Sequence, residues 1–591
     1  MRPALVITFL LAVLATWPLA VDPLGGLVGH PGNDVWNHVW GYWWVSEEVK
    51  KGYFPLLTDL LRFPGTSKLF FIDTFGALWT LPVQWLAGPV AAYNLSIFVG
   101  FWLAGLGAWA LCRHVVAQRF GGGEGASLVG AATFMLAPHL LAQAYNGISE
   151  TITAGTLALA TLGVLRFAER PTFGRAVVAA LAAALCMLSN NYYGLFAALG
   201  AGVIGLALAV ARWERVNWRG LPIPALVLAG LAVALVAPSL WLFQQSLEGP
   251  SAIVNRDPDF VWRSLISHNI TDLVSVFRPG HVYSPDLKAE HGEDLLIVTY
   301  IGWVPLALAT FGLLSLKRWR DRLPWVLWIG LFGLLMLGPY LYVNGAYVTV
   351  DDRRIPLPFL AFFDAFPIFA RISHPFRFVV PVQLAVAVLA SLGARRLPPR
   401  WAGAAAALLV VEALKLSPAP WPIARSPTEM PASTAILAED PVAGAVLDLP
   451  MGLPNLERAI YNYWQIGHGR PSPYSLNEPN PEVLDRNHLT RALRVAEAGR
   501  LDELPPTLPD LDLVVSGRAL SDLGVRYVVM HERFYLRERA KTSLELLRFA
   551  LGPETLTTPD GDHVWRLEVP EPGAAAPESA ADAAAPAEPA P

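Results

Sequence analysis

Charged residues are scarce in this chain. Asp, Glu, Lys and Arg make up only 16% of its 591 residues, while 54% are hydrophobic. Soluble domains usually carry about 25% charged residues, so the deficit points to burial in lipid. Charge of one sign is lacking too: the net charge is −4, which excludes the strongly basic face that a nucleic-acid partner demands. Cysteine is nearly absent. Cys112 and Cys186 lie at or inside apolar runs, which excludes a disulfide framework and reads as buried thiols. No Walker loop, dinucleotide-binding glycine pattern, HExxH or GxSxG element occurs, so nothing points to ATP or nicotinamide.

What the sequence does have is long apolar runs and tryptophan. Many of the 21 Trp flank charged or Pro/Gly-rich loops, as in the aromatic belt at membrane interfaces. A bilayer core of about 30 Å takes about 20 mainly apolar residues per helix. Runs of that kind lie near 4–20, 91–112, 127–142, 151–167, 175–189, 194–211, 222–243, 295–315, 324–343, 377–394 and 401–416. They predict a membrane all-α fold, a polytopic bundle of roughly 11 transmembrane helices. The first run begins like a signal peptide, but no small-x-small cleavage site follows, and it is read as an uncleaved span.

The charges between the runs give an independent test. Basic residues cluster in every second connection: Arg113 and Arg119; Arg166, Arg170 and Arg175; Arg212, Arg215 and Arg219; Lys317, Arg318, Arg320 and Arg322; Arg395, Arg396 and Arg400. The intervening short connections 144–149 and 189–194 contain no Lys or Arg. The positive-inside rule makes the basic loops cytoplasmic, with the N-terminus inside. Residues 76–90 are partly apolar, but counting them as a span would invert every later loop. They are assigned to the first outer loop, 21–90, as an interfacial or re-entrant piece.

On this topology 244–294, 344–376 and everything after about 417 face outward. The last depends on 401–416 crossing the membrane despite Glu412 and Lys415. Residues 417–567 read as a small extracytoplasmic α/β unit, with strand-like Ala445-Val446-Leu447-Asp448-Leu449 and Val525-Arg526-Tyr527-Val528-Val529-Met530 and a charged, helix-prone 486–504. The tail 568–591, nearly all Ala, Pro, Glu and Asp, reads as disordered.

The first outer loop carries the richest chemistry, from Gly29-His30-Pro31-Gly32-Asn33-Asp34 through Trp36, His38 and Trp40 to Trp44. As a helix, 34–48 would align Asp34, His38 and Gly41 on one stripe and Trp36, Trp40 and Trp43 on another, about 200° away. Such a helix would lie flat at the membrane surface with its acid–imidazole edge over the bundle. The simpler alternative is a helix-capping Asp34 with anchoring tryptophans. A metal site from His30, Asp34 and His38 is allowed by ligand type. Asn146 and Glu150 lie at one outer helix mouth and Tyr193 at another, where ionisable groups tend to face an internal cavity. Glu150 alternatively stabilises a helix N-terminus. Arg371, His374 and Arg377 run against the positive-inside bias, and their forks suit phosphate; pairing with Asp351, Asp352 or Asp364 is the alternative. The loop 255–294 holds His268, Asp272, His281, His291, Glu293 and Asp294 without diagnostic spacing.

These features resemble the GT-C superfamily of polytopic glycosyltransferases: the acidic Gly32-Asn33-Asp34 motif in a long first outer loop, the many spans, and the C-terminal outer unit. The series Leu337-Gly338-Pro339-Tyr340, Ile355-Pro356-Leu357-Pro358, Phe366-Pro367, Arg371 and His374-Pro375-Phe376-Arg377-Phe378 is similar to a bacterial group placed beside these enzymes. The superfamily often has adjacent acids where Asn33 and Asp34 stand here. The resemblance implies a sugar donor linked to polyprenyl phosphate, membrane lipid, a glycan, lipid or protein acceptor, and a bacterial inner (plasma) membrane location. It implies Asp34 as general base, Arg371, His374 and Arg377 at the donor phosphate, and Glu150 orienting the acceptor or holding a divalent cation. His38 and Asn146 would line the substrate site, and Trp36, Trp40 and Tyr193 would stack on sugar. The rival readings are a transporter or flippase of lipid-linked saccharides, and a non-catalytic envelope assembly protein.

Overall fold

The computed structural model describes residues 2–120, 123–212, 220–253, 258–267, 269–280, 295–476, 478, 481–500 and 510–568. Arg215, Arg219, His268, His281, His291, Glu293, Asp294 and the tail from 569 lie outside the described residues. The structure is mostly helical, and it divides into two units. One comprises Met1–Leu56 and Leu69–Thr428; the other comprises Leu57–Lys68 and Glu429–Pro591.

In the first unit α1 is Arg2–Ala15, α2 Val35–Lys50, α3 Thr74–Trp79, α4 Leu81–Phe120, α5 Glu124–Met135 and α6 Pro138–Tyr145. There follow α7 (Ser149–Ile152), α8 (Gly155–Glu169), α9 (Phe173–Ser189), α10 (Asn191–Arg212) and α11 (Pro222–Ser246). Later helices cover Trp303–Ser315, Trp319–Met336, Val379–Arg396 and Pro399–Lys415, so each apolar run of the sequence contains a helix. Among the described residues four helices are long and apolar enough to cross a membrane, or five if the bent pair α5–α6 forms one span. Arg2–Ala15, Phe173–Ser189 and Trp303–Ser315 are shorter apolar helices. This is a membrane protein.

Local sequence explains where the runs break. Pro138 lacks an N–H to continue a helix and instead opens α6 at its first position, so 127–142 is bent by 40° rather than straight. Gly88, at φ 84°, breaks the backbone ahead of Pro89 and sets 81–87 apart from the rest of α4. Gly302, at φ 100°, starts the helix at Trp303, leaving 295–302 non-helical.

Packing within the unit uses small residues. A Cβ on Gly312 would lie 2.0 Å from the Leu389 carbonyl oxygen, and one on Gly393 would lie 2.1 Å from that of Leu308. The helices Trp303–Ser315 and Val379–Arg396 therefore cross at backbone contact, the usual solution where lipid offers no hydrophobic driving force between helices. Val379–Arg396 is enclosed by protein up to Ala394, whereas α11 is almost uncovered and apolar all round, as a lipid-facing helix is. Glu412, the doubtful acid of the last run, is buried because it has work there. It accepts hydrogen bonds from Tyr300 Oη (2.6 Å) and from the N–H groups of Trp303 (2.6 Å) and Val304 (2.9 Å), capping that helix from outside its own sequence.

The second unit holds a four-stranded mixed sheet. Ala445–Leu449 pairs parallel with Val525–His531, which pairs antiparallel with Asp562–Arg566, and Leu556–Thr557 closes the far edge. Leu437, Val446, Tyr527, Val529 and Val564 form the core on one face. His531 bridges three strands, with Nε2 3.0 Å from Asp448 Oδ1 and Nδ1 2.9 Å from Asp562 Oδ1. The segment Leu57–Lys68 joins this unit through backbone: Ser472 N–H and the Gln465 amide both donate to the Leu60 carbonyl (2.9 and 2.8 Å).

Candidate functional site

Asp34 sits at the N-terminal cap position of α2 but makes no side-chain cap bond. The helix start is held by backbone docking instead. His30 N–H donates to the Tyr145 carbonyl (2.8 Å) and Asp34 N–H to that of Asn146 (3.1 Å), while Tyr93 Oη donates to the carbonyls of Val28 (2.9 Å) and Gly147 (3.0 Å). The approach requires glycine at 147: φ is +75°, and a Cβ there would lie 2.6 Å from Val35 Cα. This docking brings the acid–imidazole edge of α2 against α7.

The result is a cluster of three carboxylates around one imidazole. His38 Nε2 lies 3.8 Å from Asp34 Oδ2 and 3.7 Å from Glu150 Oε2, within ion-pair range and beyond a direct hydrogen bond. Ser149 Oγ lies 3.3 Å from His38 Nδ1 and donates to Asp73 Oδ2. Asp73 caps α3 through Gly76 N–H (3.1 Å) and accepts from Tyr42 Oη (2.8 Å). Burial, reinforced by the charge of Glu150, pushes the Asp73 carboxyl up to about 6; the Ser149 hydroxyl and His38 oppose the rise. Exposure sorts the three acids. The Asp34 side chain is 20% exposed, that of Glu150 1%, and Asp73 is buried. Asp34 Oδ1 is oriented by Asn37 Nδ2 at 2.9 Å.

A second group of polar atoms lies along α6 and the turn before Val379. His139 Nδ1 lies 3.0 Å from the Val298 carbonyl oxygen. Gln143 Oε1 accepts from Thr151 Oγ1 at 3.5 Å. Among the described residues His139 Nε2, Gln143 Nε2, Glu150 Oε2 and Arg377 Nε are buried without hydrogen-bond partners, an expensive arrangement unless something supplies them. The Arg377 guanidinium stacks 4.9 Å over the Tyr192 ring and is close enough to act electrostatically on both His139 and Tyr193. Glu150 acts on Tyr193 too. Phe378, next in sequence, is locked by Phe196 (4.7 Å), Phe332 (6.3 Å) and Phe369 (6.3 Å), which fixes where Arg377 can point.

The structure thus brings together Asp34, His38 and Glu150, and Arg377 and Glu150 both act electrostatically on Tyr193. Other sequence candidates lie elsewhere in role. Trp36 and Trp40 are fully buried: Trp36 Nε1 donates to the Pro31 carbonyl (2.7 Å), and Trp40 stacks on Trp44 (5.6 Å). Neither ring offers a face to a sugar or to the membrane surface, because α2 is packed into the unit rather than laid over it. Asn146 is buried and spends its amide on Leu296, accepting from its N–H (2.8 Å) and donating to its carbonyl (2.9 Å), so it clamps chain instead of ligand. Tyr193 is buried, with its hydroxyl given to the Thr151 carbonyl. His374 is half-buried against Ser373 Oγ (2.7 Å), and Arg371 is exposed.

Sequence reading missed Asp73, Tyr42, His139 and Gln143. The signal for Asp73 was present as a lone acid after the apolar Phe70-Phe71-Ile72, followed by a helix-starting Thr74. Among the described residues no three of His, Cys, Asp and Glu are arranged to hold a metal ion. His38 fills the space between Asp34 and Glu150, so the divalent cation expected on Glu150 has no matching donor set there.

No protein-family model matches the chain, and no curated protein matches it. Solved structures do. The mycobacterial arabinofuranosyltransferase AftD is similar with a TM-score of 0.52 at 13% identity, over 97% of this chain and 40% of that one. A variant of AftD gives a TM-score of 0.56 at 14% identity, over 97% and 42%. The chain has the GT-C fold. It spans about two fifths of AftD's length. ArnT from Cupriavidus metallidurans, bound to undecaprenyl phosphate, is a looser likeness at a TM-score of 0.45 and 15% identity, over 95% of this chain and 97% of that one.

Proposed function

We propose that this protein is a membrane glycosyltransferase that moves a sugar from a polyprenyl-phosphate donor to an acceptor hydroxyl on the extracytoplasmic side. The observation that carries the reading is the carboxylate–imidazole cluster in which Asp34 alone is open while Asp73 and Glu150 are buried behind it. A general base must reach the acceptor proton, and only the exposed acid can do so. In the transfer, the acceptor oxygen bonds to the anomeric carbon as its proton passes to Asp34. The bond from that carbon to the donor phosphate oxygen breaks, its electron pair stays with the phosphate, and polyprenyl phosphate departs.

His38 is a positioning residue in this scheme. It lies between Asp34 and Glu150, and Ser149, itself bonded to Asp73, lies against its other nitrogen. Arg377 meets the charge growing on the leaving phosphate, an electrostatic role for a half-buried cation whose Nε lacks a protein partner. His139 and Gln143, with unused nitrogens nearby, are further candidates for the donor headgroup. Among the described residues no metal-ligand set is assembled, and the scheme rests on the side chains alone.

The proposed topology is roughly eleven spans with the N-terminus cytoplasmic and the sheet-bearing unit extracytoplasmic, supported by the alternation of basic loops. Glu545, exposed on a helix of that unit, is a suitable place for a reporter thiol, because both native cysteines are buried. An impermeant thiol reagent should label Glu545→Cys in intact cells; labelling only after lysis would contradict the topology. The function itself is tested by supplying the purified protein with polyprenyl-phosphate-linked sugars and measuring release of polyprenyl phosphate. Movement of the intact donor across proteoliposomes without release would instead favour a flippase.

A further inference from the structure

The second unit contains a cleft that nothing in the proposed transfer uses. Its volume is about 540 Å³, and it is lined by Arg491, Arg494, Arg500 and Arg539, with Phe534 and Tyr535 contributing ring faces. That volume lies within the range of small-molecule sites, about 300–1,000 Å³. We propose that this cleft binds a saccharide bearing an oxyanion, either a phosphate or a carboxylate.

The arginines are placed by regular structure. Arg491 and Arg494 stand three residues apart on the helix His488–Ala498, and Val495 and Ala498 of that helix also line the cleft, the spacing of a single helical face. Arg539 projects from the facing helix Arg537–Leu551. Four guanidinium groups line one opening, and among the described acids around it Asp485 and Glu497 are already engaged, leaving Arg491 to meet a ligand's anion. Glu497 is buried and accepts from the N–H groups of Met451 (3.1 Å) and Gly452 (2.8 Å) and from Tyr535 Oη (3.1 Å). Asp485 pairs with Arg494. Arg539 Nη1 donates to the Glu497 carbonyl (2.9 Å), which holds that side chain in place. Arg491 has no ion pair among the described residues and is exposed. Planar forks beside aromatic faces match a ligand with an oxyanion at one end and a sugar ring at the other. A bare anion would need no rings, and a neutral sugar would not need the Arg491 fork.

The test is equilibrium binding to the full-length protein in detergent, with glucose 6-phosphate, glucuronate, glucose and inorganic phosphate as probes. Glucose 6-phosphate, glucuronate or both should bind at least about tenfold tighter than glucose, with affinity falling as salt rises; which of the two binds identifies the oxyanion. Arg491→Ala should weaken that binding about tenfold, and Arg491→Lys, which keeps the charge and loses the fork, by less. Asp34→Asn should leave it unchanged, which separates this site from the proposed catalytic cluster. Equal affinity for glucose and both anionic sugars overturns the proposal, as does salt-independent binding. Inorganic phosphate binding as tightly as glucose 6-phosphate overturns the saccharide part. Unaltered binding in Arg491→Ala, with unfolding temperature unchanged, removes the cleft as the site.

Discussion

The Ser149 hydroxyl donates to the Asp73 carboxylate, joining the loop ahead of α3 to the turn that bears Glu150. The pair is buried, and it places a second acid behind the imidazole of His38. Asp73 titrates near 6 because burial and Glu150 disfavour its charge.

That shift has a definite sign in stability. The native state holds the Asp73 proton more tightly than the unfolded chain, whose carboxyl titrates near its ordinary 3.8. The stability this group contributes is therefore greatest below the unfolded value, falls as pH rises through the interval from 3.8 to about 6, and stays at its lower level above it. A difference of about two units corresponds to roughly 3 kcal/mol at most. Asp73→Asn, which cannot titrate, should flatten the dependence of unfolding temperature on pH across that interval. A slope equal to wild type would show that Asp73 is not the group responsible.

Gly147→Ala tests the docking of α2. The substitution forces an alanine to φ +75° and drives its Cβ against Val35, a strain of order 1–3 kcal/mol before the clash is counted. It should lower the unfolding temperature and reduce transfer activity together. Gly403→Ala is the control, since a Cβ there meets nothing within 4 Å. Equal behaviour of the two variants would mean that close approach at Gly147 does not hold the cluster.

Arg377→Lys keeps the charge but loses the planar fork and much of the contact with the Tyr192 ring. If Arg377 meets the donor phosphate, KM for the donor should rise about tenfold, with kcat also reduced because the same contact strengthens as the phosphate departs. Steady-state kinetics with varied donor would read this directly. An unchanged KM would place the phosphate elsewhere.

Much of the candidate site was legible where its logic is local. Asp34 and His38 are four residues apart, so helical periodicity alone aligns them, and Glu150 stands out as an acid at a helix mouth. Asp73 was not legible, because its meaning comes from Ser149, 76 positions away. The burial of Trp36, Trp40 and Asn146 was not legible for the same reason: whether an aromatic or amide faces ligand or chain is settled only by the fold. In the fold, apolar runs located the helices, while the breaks at Pro138, Gly88 and Gly302 were written in the sequence and needed the bundle to set their geometry. The contribution of Leu57–Lys68 to the second unit rests on backbone pairing over about four hundred residues, which no local pattern encodes.

The central claim, that Asp34 is the base, is tested most directly by the single-turnover rate of Asp34→Asn with saturating polyprenyl-phosphate-linked sugar and acceptor. The account predicts a rate about 10³-fold lower, with donor binding and unfolding temperature at wild-type values. A variant that transfers sugar at the wild-type rate would contradict it.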